Sequence, residues 1–173
     1  MSWQDKAQLV TDIIHAAGGR LIGRTKLQKT VYLLEATGWK GDFVFRYCHY
    51  GPYCESLAEA ASDAVSLGYL EEKYSRTESG NPYSIYETTS PEKTVTPFSQ
   101  RQKNLIKTAS EANAIELELA ATALFLAKEE SFENPWDETS RRKPQKASDK
   151  MIGQAKALYN TLSQCVPGVF PQI

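Results

Sequence analysis

Three residues that can bind metals or act as nucleophile and base lie close together in one short segment. Cys48, His49 and Cys54 could supply thiolate and imidazole ligands to zinc, or pair as a nucleophile with its general base. A zinc site, however, needs four ligands in paired short spacings, and the other histidine, His15, lies in a separate predicted helix. We therefore favour ordinary packing roles for these residues and predict no bound metal.

Catalytic signatures are missing elsewhere in the sequence. It contains no nucleophile elbow, phosphate-binding loop, dinucleotide fingerprint or HExxH motif. The run from Tyr47 to Tyr50 falls in a predicted strand, where successive side chains alternate between faces and cannot share one pocket. We predict that the chain is not an enzyme and that it uses no cofactor.

Composition and charge restrict the class of protein. The 173 residues are 41% hydrophobic and 24% charged with a net charge of -1, so we predict one globular domain over 1–173. A typical DNA-binding domain would be basic. The sequence has no long apolar run and no apolar leader at its start, and its three cysteines lack disulfide-framework spacing. These features predict a cytoplasmic protein outside the membrane.

The first half of the chain contains amphipathic helices. Apolar residues at intervals of three and four predict three of them: 4–17, 25–37 and 56–67. Two capping boxes, Thr25 with Gln28 and Ser56 with Glu59, predict where the second and third helices begin. Leu27 belongs to the predicted core face of the second helix.

Short strands are predicted between and after these helices. Aromatic and β-branched runs indicate three of them: 43–47, 69–76 and 83–88. Gly51 and Pro52 are predicted to form a turn, and SGNP at 79–82 is predicted to close a hairpin. Residues 20–23 form either a brief strand or a simple link.

The second half of the chain is predicted to be helical. Thr96 and Pro97 are expected to start a long helix that breaks within 108–113, and its apolar part at 117–127 is expected to be central and buried. Ser148 is predicted to cap the last helix. The fold class is therefore mainly α (α+β), a helical domain with a winged-helix-like core and a two-stranded β-hairpin, followed by C-terminal helices.

The helix in the DNA-recognition position is acidic. No lysine or arginine lies between Arg46 and Lys73, whereas Glu55, Glu59 and Asp63 form a stripe with a spacing of four. The stripe is either a solvated face or a docking face for a basic protein surface. Basic residues form two groups elsewhere: Arg20, Arg24, Lys26 and Lys29, and Arg141, Arg142, Lys143 and Lys146. These groups could bind an anion or RNA, but charge runs are usually solvated surface and RRKPQK at 141–146 lacks the interleaved aromatic residues that stack bases, so we do not expect nucleic-acid binding.

Three motifs carry a family resemblance. KLQKTVYLL at 26–34, YGPY at 50–53 and KPQKASDKMIGQAKALYNTL at 143–162 resemble the YwgA-like proteins of bacteria. The first two motifs are also similar to the Panacea antitoxin domain of SocA type, and ENPW at 133–136 resembles its closing PW motif. The chain departs from the Panacea pattern because it has YGPY where that domain favours YGPV followed by proline.

The resemblance implies a mostly helical domain with a winged-helix-like hairpin, of a kind found in mobile and toxin–antitoxin gene neighbourhoods. Panacea-type members neutralise a toxin or present it to a protease. We accordingly expect a non-catalytic protein-binding module, an antitoxin or proteolytic adaptor acting on a basic toxin encoded nearby, in a prophage or phage-defence setting. The alternative is a winged-helix DNA-binding transcription regulator, and homodimerisation stays open.

The expected partner surface combines aromatic anchors with the acidic helix. Its predicted residues are Trp39, Tyr50, Gly51, Pro52, Tyr53, Glu55, Glu59 and Asp63. The competing interpretation is purely architectural. In that case, Gly51 and Pro52 only aim the third helix, and KLQK mainly supplies core residues.

Overall fold

The fold is described by a computed structural model that covers residues 1–90 and 96–173. The helices in these residues are α1 (Trp3–Ala16), α2 (Arg24–Ala36), α3 (Glu55–Ser66), α4 (Gln100–Glu111), α5 (Ala114–Lys128), α6 (Pro135–Arg142) and α7 (Asp149–Cys165). The strands are β1 (Arg20–Ile22), β2 (Arg46–Cys48), β3 (Gly51–Tyr53), β4 (Leu70–Arg76) and β5 (Pro82–Thr88). The predicted class, mainly α with a small β component, is confirmed.

The winged-helix-like core consists of α1, α2, α3 and a three-stranded antiparallel sheet with the order β1-β5-β4. The segment after α1 is a strand, and it pairs with β5 so that Leu21 lies opposite Tyr86. On the other side of β5, β4 places Glu72 opposite the same tyrosine. The predicted hairpin is therefore the wing of this core, and β1 widens it.

Both predicted capping boxes in this core are wrong, although the helices themselves are confirmed. Helix α2 begins after Gly23, which has a φ angle of 98°, and the Gln28 side chain turns away to a tertiary partner. Helix α3 begins after Cys54, two residues before the predicted cap, and the Cys54 thiol contacts the Ser56 hydroxyl at 3.3 Å. Gln28 is thus bound by a tertiary partner and Ser56 by a local one.

A second hairpin, β2–β3, is inserted between α2 and α3. Cys48 pairs with Gly51, so His49 and Tyr50 form a two-residue turn. The predicted turn at Gly51 and Pro52 is therefore wrong, because both residues belong to β3. The predicted strand at 43–47 is reduced to its end, since β2 begins only at Arg46.

The C-terminal helices agree with the sequence except at two points. Helix α4 begins after Ser99, which forms a capping box with Gln102, so the predicted start at Thr96 and Pro97 is wrong. The predicted break is confirmed, because α4 ends and Asn113 caps α5. Helix α6 was not predicted; it has only eight residues and begins at Pro135. Ser148 caps α7 as predicted.

Helix α5 lies at the centre of the molecule. Its residues 117–126 are all buried, and it packs on α2, α6, α7 and β3. The prediction of a central buried helix is thus confirmed, and its neighbours bring the hairpin and the C-terminal segment onto the same core. Of the helices formed by the described residues, none has both the length and the apolar character needed to cross a bilayer.

Candidate functional site

The three sequence motifs meet at the β2–β3 hairpin. Helix α2 supplies Gln28 and Lys29, α5 supplies Glu118, and the segment after α6 supplies Lys143 and Lys146. Gln28, Lys29 and Lys143 bind backbone atoms of the hairpin or of Cys54. Glu118 binds Lys143 and Lys146, and Lys146 also packs on the Tyr50 ring. The residues that form the hairpin are therefore positioned by segments distant in the sequence.

Gln28 fixes the junction between β3 and α3. Its side-chain amide donates to the Cys54 carbonyl at 2.9 Å, and its carbonyl oxygen accepts from the Cys54 amide at 2.8 Å. Both residues are buried. Because Cys54 is the residue from which α3 starts, this pair of bonds sets where that helix begins.

Lys29 is buried beneath the hairpin. Only 1% of it is exposed, and its ammonium donates to the Pro52 carbonyl at 2.7 Å. Burial lowers the pKa of Lys29 to about 7; the nearby Glu118 carboxylate opposes that shift, and the positive charge of Lys143 adds to it. Lys29 is thus a buried amine that titrates near neutral pH.

Glu118 is a buried carboxylate that binds two lysines. The Lys143 ammonium donates to one of its oxygens and the Lys146 ammonium to the other, both at 2.8 Å. Lys143 also donates to the His49 carbonyl in the hairpin turn at 2.9 Å. A buried ion pair must satisfy its remaining polar groups to be tolerated, and the turn carbonyl does part of this. The connection between α6 and α7 is thereby tied to α5 and to the hairpin.

Cations from the C-terminal segment also pack on the hairpin tyrosines. The Arg142 guanidinium lies 4.6 Å from the Tyr47 ring centre, and the Lys146 ammonium lies 4.6 Å from the Tyr50 ring centre. Arg142 also forms ion pairs with Glu130 and Glu138. Much of the predicted basic group at 141–146 is therefore engaged inside the molecule.

Part of the N-terminal basic group is engaged in the same way. The Arg24 guanidinium binds Glu72 of β4 at 2.8 Å, and Arg20 binds Glu87 of β5 at 3.2 Å. Lys26 donates to the Ser110 carbonyl at 3.1 Å. These bonds connect the start of α2 and the sheet to their neighbours.

A cavity of about 320 Å³ opens between α2, α3 and the hairpin. Its lining residues are Arg24, Thr25, Leu27, Gln28, Lys29, Tyr50, Tyr53, Ala58, Ala61, Ser62, Glu72 and Tyr86. Three tyrosines supply aromatic surface, and Lys29 and Arg24 supply positive charge. The volume lies at the small end of the range for sites that bind small molecules.

The predicted residues of the YGPY motif divide between surface and interior. Tyr50 is 52% exposed at the hairpin turn, and the His49 ring meets it edge-on at 4.9 Å. Gly51 and Pro52 are buried. Tyr53 is half-buried and lines the cavity, and burial, with the neighbouring Glu55 carboxylate, raises the pKa of its phenol.

The acidic stripe lies next to the same cavity, whereas the predicted tryptophan lies elsewhere. Glu55 and Glu59 are exposed and Asp63 is half-buried on α3, whose neighbouring residue Ser62 lines the cavity. The Trp39 indole instead packs on Phe98, with ring centres 5.6 Å apart. The structure therefore brings the tyrosines and the acidic face of α3 together and leaves Trp39 out.

The residues considered for metal binding do not converge. Cys48 is exposed on β2, while Cys54 is buried at the start of α3. Within residues 1–90 and 96–173, no three cysteine, histidine or acidic side chains form a group that could hold a metal ion. His49 contributes its backbone carbonyl to Lys143 and its ring to Tyr50.

Sequence reasoning missed the polar residues beneath the hairpin, although two signals mark them. Glu118 is the one acidic residue inside the apolar run at 117–127. Gln28 and Lys29 stand between Leu27 and Val31, both of which belong to the buried face of α2. Charged or amide side chains within such runs are rarely buried unless they have partners, so each signals a specific tertiary bond.

Comparison with known proteins gives a partial relationship. A protein of Bacillus subtilis (strain 168), described as uncharacterized protein YwgA, is 30% identical to this chain over 81 residues. Over this stretch the chain is YwgA-like. The alignment covers 40% of the chain and 49% of YwgA, so the chain spans about half the length of this curated relative. No family model matches the chain.

Proposed function

We propose that this chain is a non-catalytic protein-binding module, and that its partner docks on the hairpin turn and on the acidic face of α3. The observation that carries the proposal is Tyr50, a half-exposed aromatic side chain on a turn fixed by Lys29 and Lys143. Preorganised aromatic anchors contribute much of the binding energy at protein interfaces, because little side-chain or backbone freedom is lost on binding.

The partner expected on this surface is a basic protein. Glu55 and Glu59 are exposed beside the cavity whose rim includes Tyr50, and α3 contains no lysine or arginine. Complementary charge speeds association and disfavours partners that carry the same charge. The resemblance to antitoxin domains further supports a role as antitoxin or proteolytic adaptor for a toxin encoded nearby, in a prophage or phage-defence gene neighbourhood.

Co-expression with the product of the adjacent gene tests this proposal. The wild-type chain should relieve that product's toxicity and retain it in a pull-down. Tyr50→Ala should weaken retention by about 2 kcal/mol, the usual loss at an interface anchor, and Glu59→Lys should also weaken it. Tyr74→Ala is the matched control, because Tyr74 is 69% exposed on the wing strand β4. A neighbour that is neither toxic nor retained would exclude the proposal.

A winged-helix DNA-binding regulator is the second candidate, favoured by the α1-β1-α2-α3-β4-β5 order around the β1-β5-β4 sheet. This candidate requires α3 to approach phosphates although its charged residues are acidic. It predicts steeply salt-dependent binding to the DNA upstream of its gene. A gel-shift titration at low salt that shows no complex would eliminate it.

A further inference from the structure

The cavity between α2, α3 and the hairpin is lined by more basic than acidic side chains. Its charged lining residues are Arg24, Lys29 and Glu72. Glu72 already binds Arg24 through two guanidinium nitrogens, at 2.8 Å and 3.1 Å. Among the residues that line the cavity, Glu72 thus balances the charge of Arg24, and no carboxylate is bound to Lys29.

The other carboxylate near Lys29 is also occupied. Glu118 accepts one bond from Lys143 and one from Lys146, so its two oxygens are already bound to other lysines. The Lys29 ammonium donates to Pro52 O, and a lysine ammonium has three N–H donors in all. Burial disfavours the charged form of Lys29, and an anion in the cavity would stabilise that form.

The walls of the cavity favour a flat, apolar body. Tyr50, Tyr53 and Tyr86 line it together with Leu27 and Ala61. Aromatic walls stabilise a ring placed between them through burial and through offset or edge-on contacts. The volume, about 320 Å³, fits one small molecule.

From these features we propose that the cavity is a binding site for a small aromatic oxyanion, a ring that carries a carboxylate or a phosphate group. The ring lies among the three tyrosines. The oxyanion accepts hydrogen bonds from Lys29 in the interior and from Arg24 at the edge. This site shares Tyr50 with the proposed partner surface, whereas its cations, Lys29 and Arg24, do not belong to that surface.

Four probes distinguish the contribution of the aromatic ring to binding from that of the oxyanion. Phenyl phosphate and benzoate share a ring and differ in the oxyanion, so they distinguish a phosphate site from a carboxylate site. Phenol lacks the oxyanion, and inorganic phosphate lacks the ring. Titration of the isolated full-length chain, followed by calorimetry and by NMR shifts of Tyr50 and Tyr53, should show saturable binding of phenyl phosphate or benzoate. Phenol and inorganic phosphate should bind at least tenfold more weakly.

Variants test which cations bind the probe. Lys29→Met should weaken binding of the favoured probe by about tenfold or more, as expected for one lost charge-assisted hydrogen bond. Arg24→Met should also weaken binding, and because this side chain is 64% exposed, we expect the variant to fold even if Lys29→Met does not. Lys107→Met, on the exposed face of α4, is the matched control and should bind like wild type.

Three results would overturn the inference. These are no binding of either aromatic oxyanion, equal binding of phenol or inorganic phosphate, and wild-type affinity in Arg24→Met. Because the probes are added to the chain alone, such a failure leaves partner retention unaffected. Partner retention lost through Glu59→Lys would likewise leave probe binding intact, because Glu59 does not line the cavity.

Discussion

Lys29 is the residue whose protonation should govern how stability depends on pH. Its pKa of about 7 in the folded chain lies below the ordinary lysine value of 10.5, because burial disfavours the charged form. The groups that face it are Glu118 on α5, Lys143 and Lys146 after α6, and Cys48 on β2. Between the two pKa values the unfolded chain holds a proton that the folded chain has released. The free energy of unfolding therefore rises with pH in this window.

The pH dependence can be isolated with Lys29→Met. Across pH 7.5 to 9.5, the unfolding free energy of wild type should increase relative to the variant by roughly 2 kcal/mol, which follows from about 1.4 kcal/mol per pH unit for one proton. Burial also raises the pKa values of Tyr86 and Tyr159, to about 12, so these phenols titrate above this window. Urea unfolding at several pH values measures the difference. Parallel stability curves for the two proteins would show that Lys29 is charged in the folded state.

At the scale of elements, β3 packs against α5 so closely that only glycine fits at one position. Gly51 has a φ angle of 82°, and a Cβ atom there would collide with the Thr122 hydroxyl of α5. Gly51→Ala should therefore cost about 2–4 kcal/mol, the left-handed backbone contributing roughly 1–3 and the collision the rest. Gly80→Ala at the wing tip isolates the backbone term, because Gly80 has a φ angle of 84° and open space around it. Chemical denaturation that gave equal losses for both variants would contradict the close contact.

The elements themselves could largely be predicted because their signals are local. Apolar periodicity located α1, α2, α3 and α7, the continuous apolar run at 117–127 located α5, and turn residues located the wing between β4 and β5. Short α6 gave no periodic signal. The first capping box failed because Gln28 binds Cys54, a residue 26 positions away, and sequence spacing cannot show such a partner.

The candidate site was harder to predict than the fold, because its contacts join residues that are distant in the sequence. The sequence pointed to Tyr50 and to the α3 carboxylates, since aromatic and acidic residues at a surface can be recognised by type. It marks Lys143 and Lys146 only as members of a basic group and does not single out Glu118, because their contacts depend on α5 and the segment after α6 meeting the same hairpin. Trp39 was grouped with the site by residue type, although it packs on Phe98 instead.

At the scale of the whole molecule, the chain is a winged-helix-like core whose inserted hairpin is fixed by the C-terminal helices. Residues 28–29, 118 and 143–146 converge beneath the hairpin from three distant regions of the sequence. The molecule thereby holds Tyr50 in place beside the acidic face of α3. Long-range bonds of this kind make the rigidity of the turn depend on the C-terminal half of the chain.

The most direct test of this account is amide hydrogen exchange in the Lys143→Met variant. Loss of the bonds from Lys143 to His49 O and Glu118 should increase exchange across residues 46–54 by about tenfold, corresponding to about 1.4 kcal/mol of local stability, while α1 and α4 keep their protection. Lys150→Met, on an exposed part of α7, is the control and should exchange like wild type. Unchanged exchange across 46–54 in Lys143→Met would contradict the claim that the C-terminal segment holds the hairpin in place.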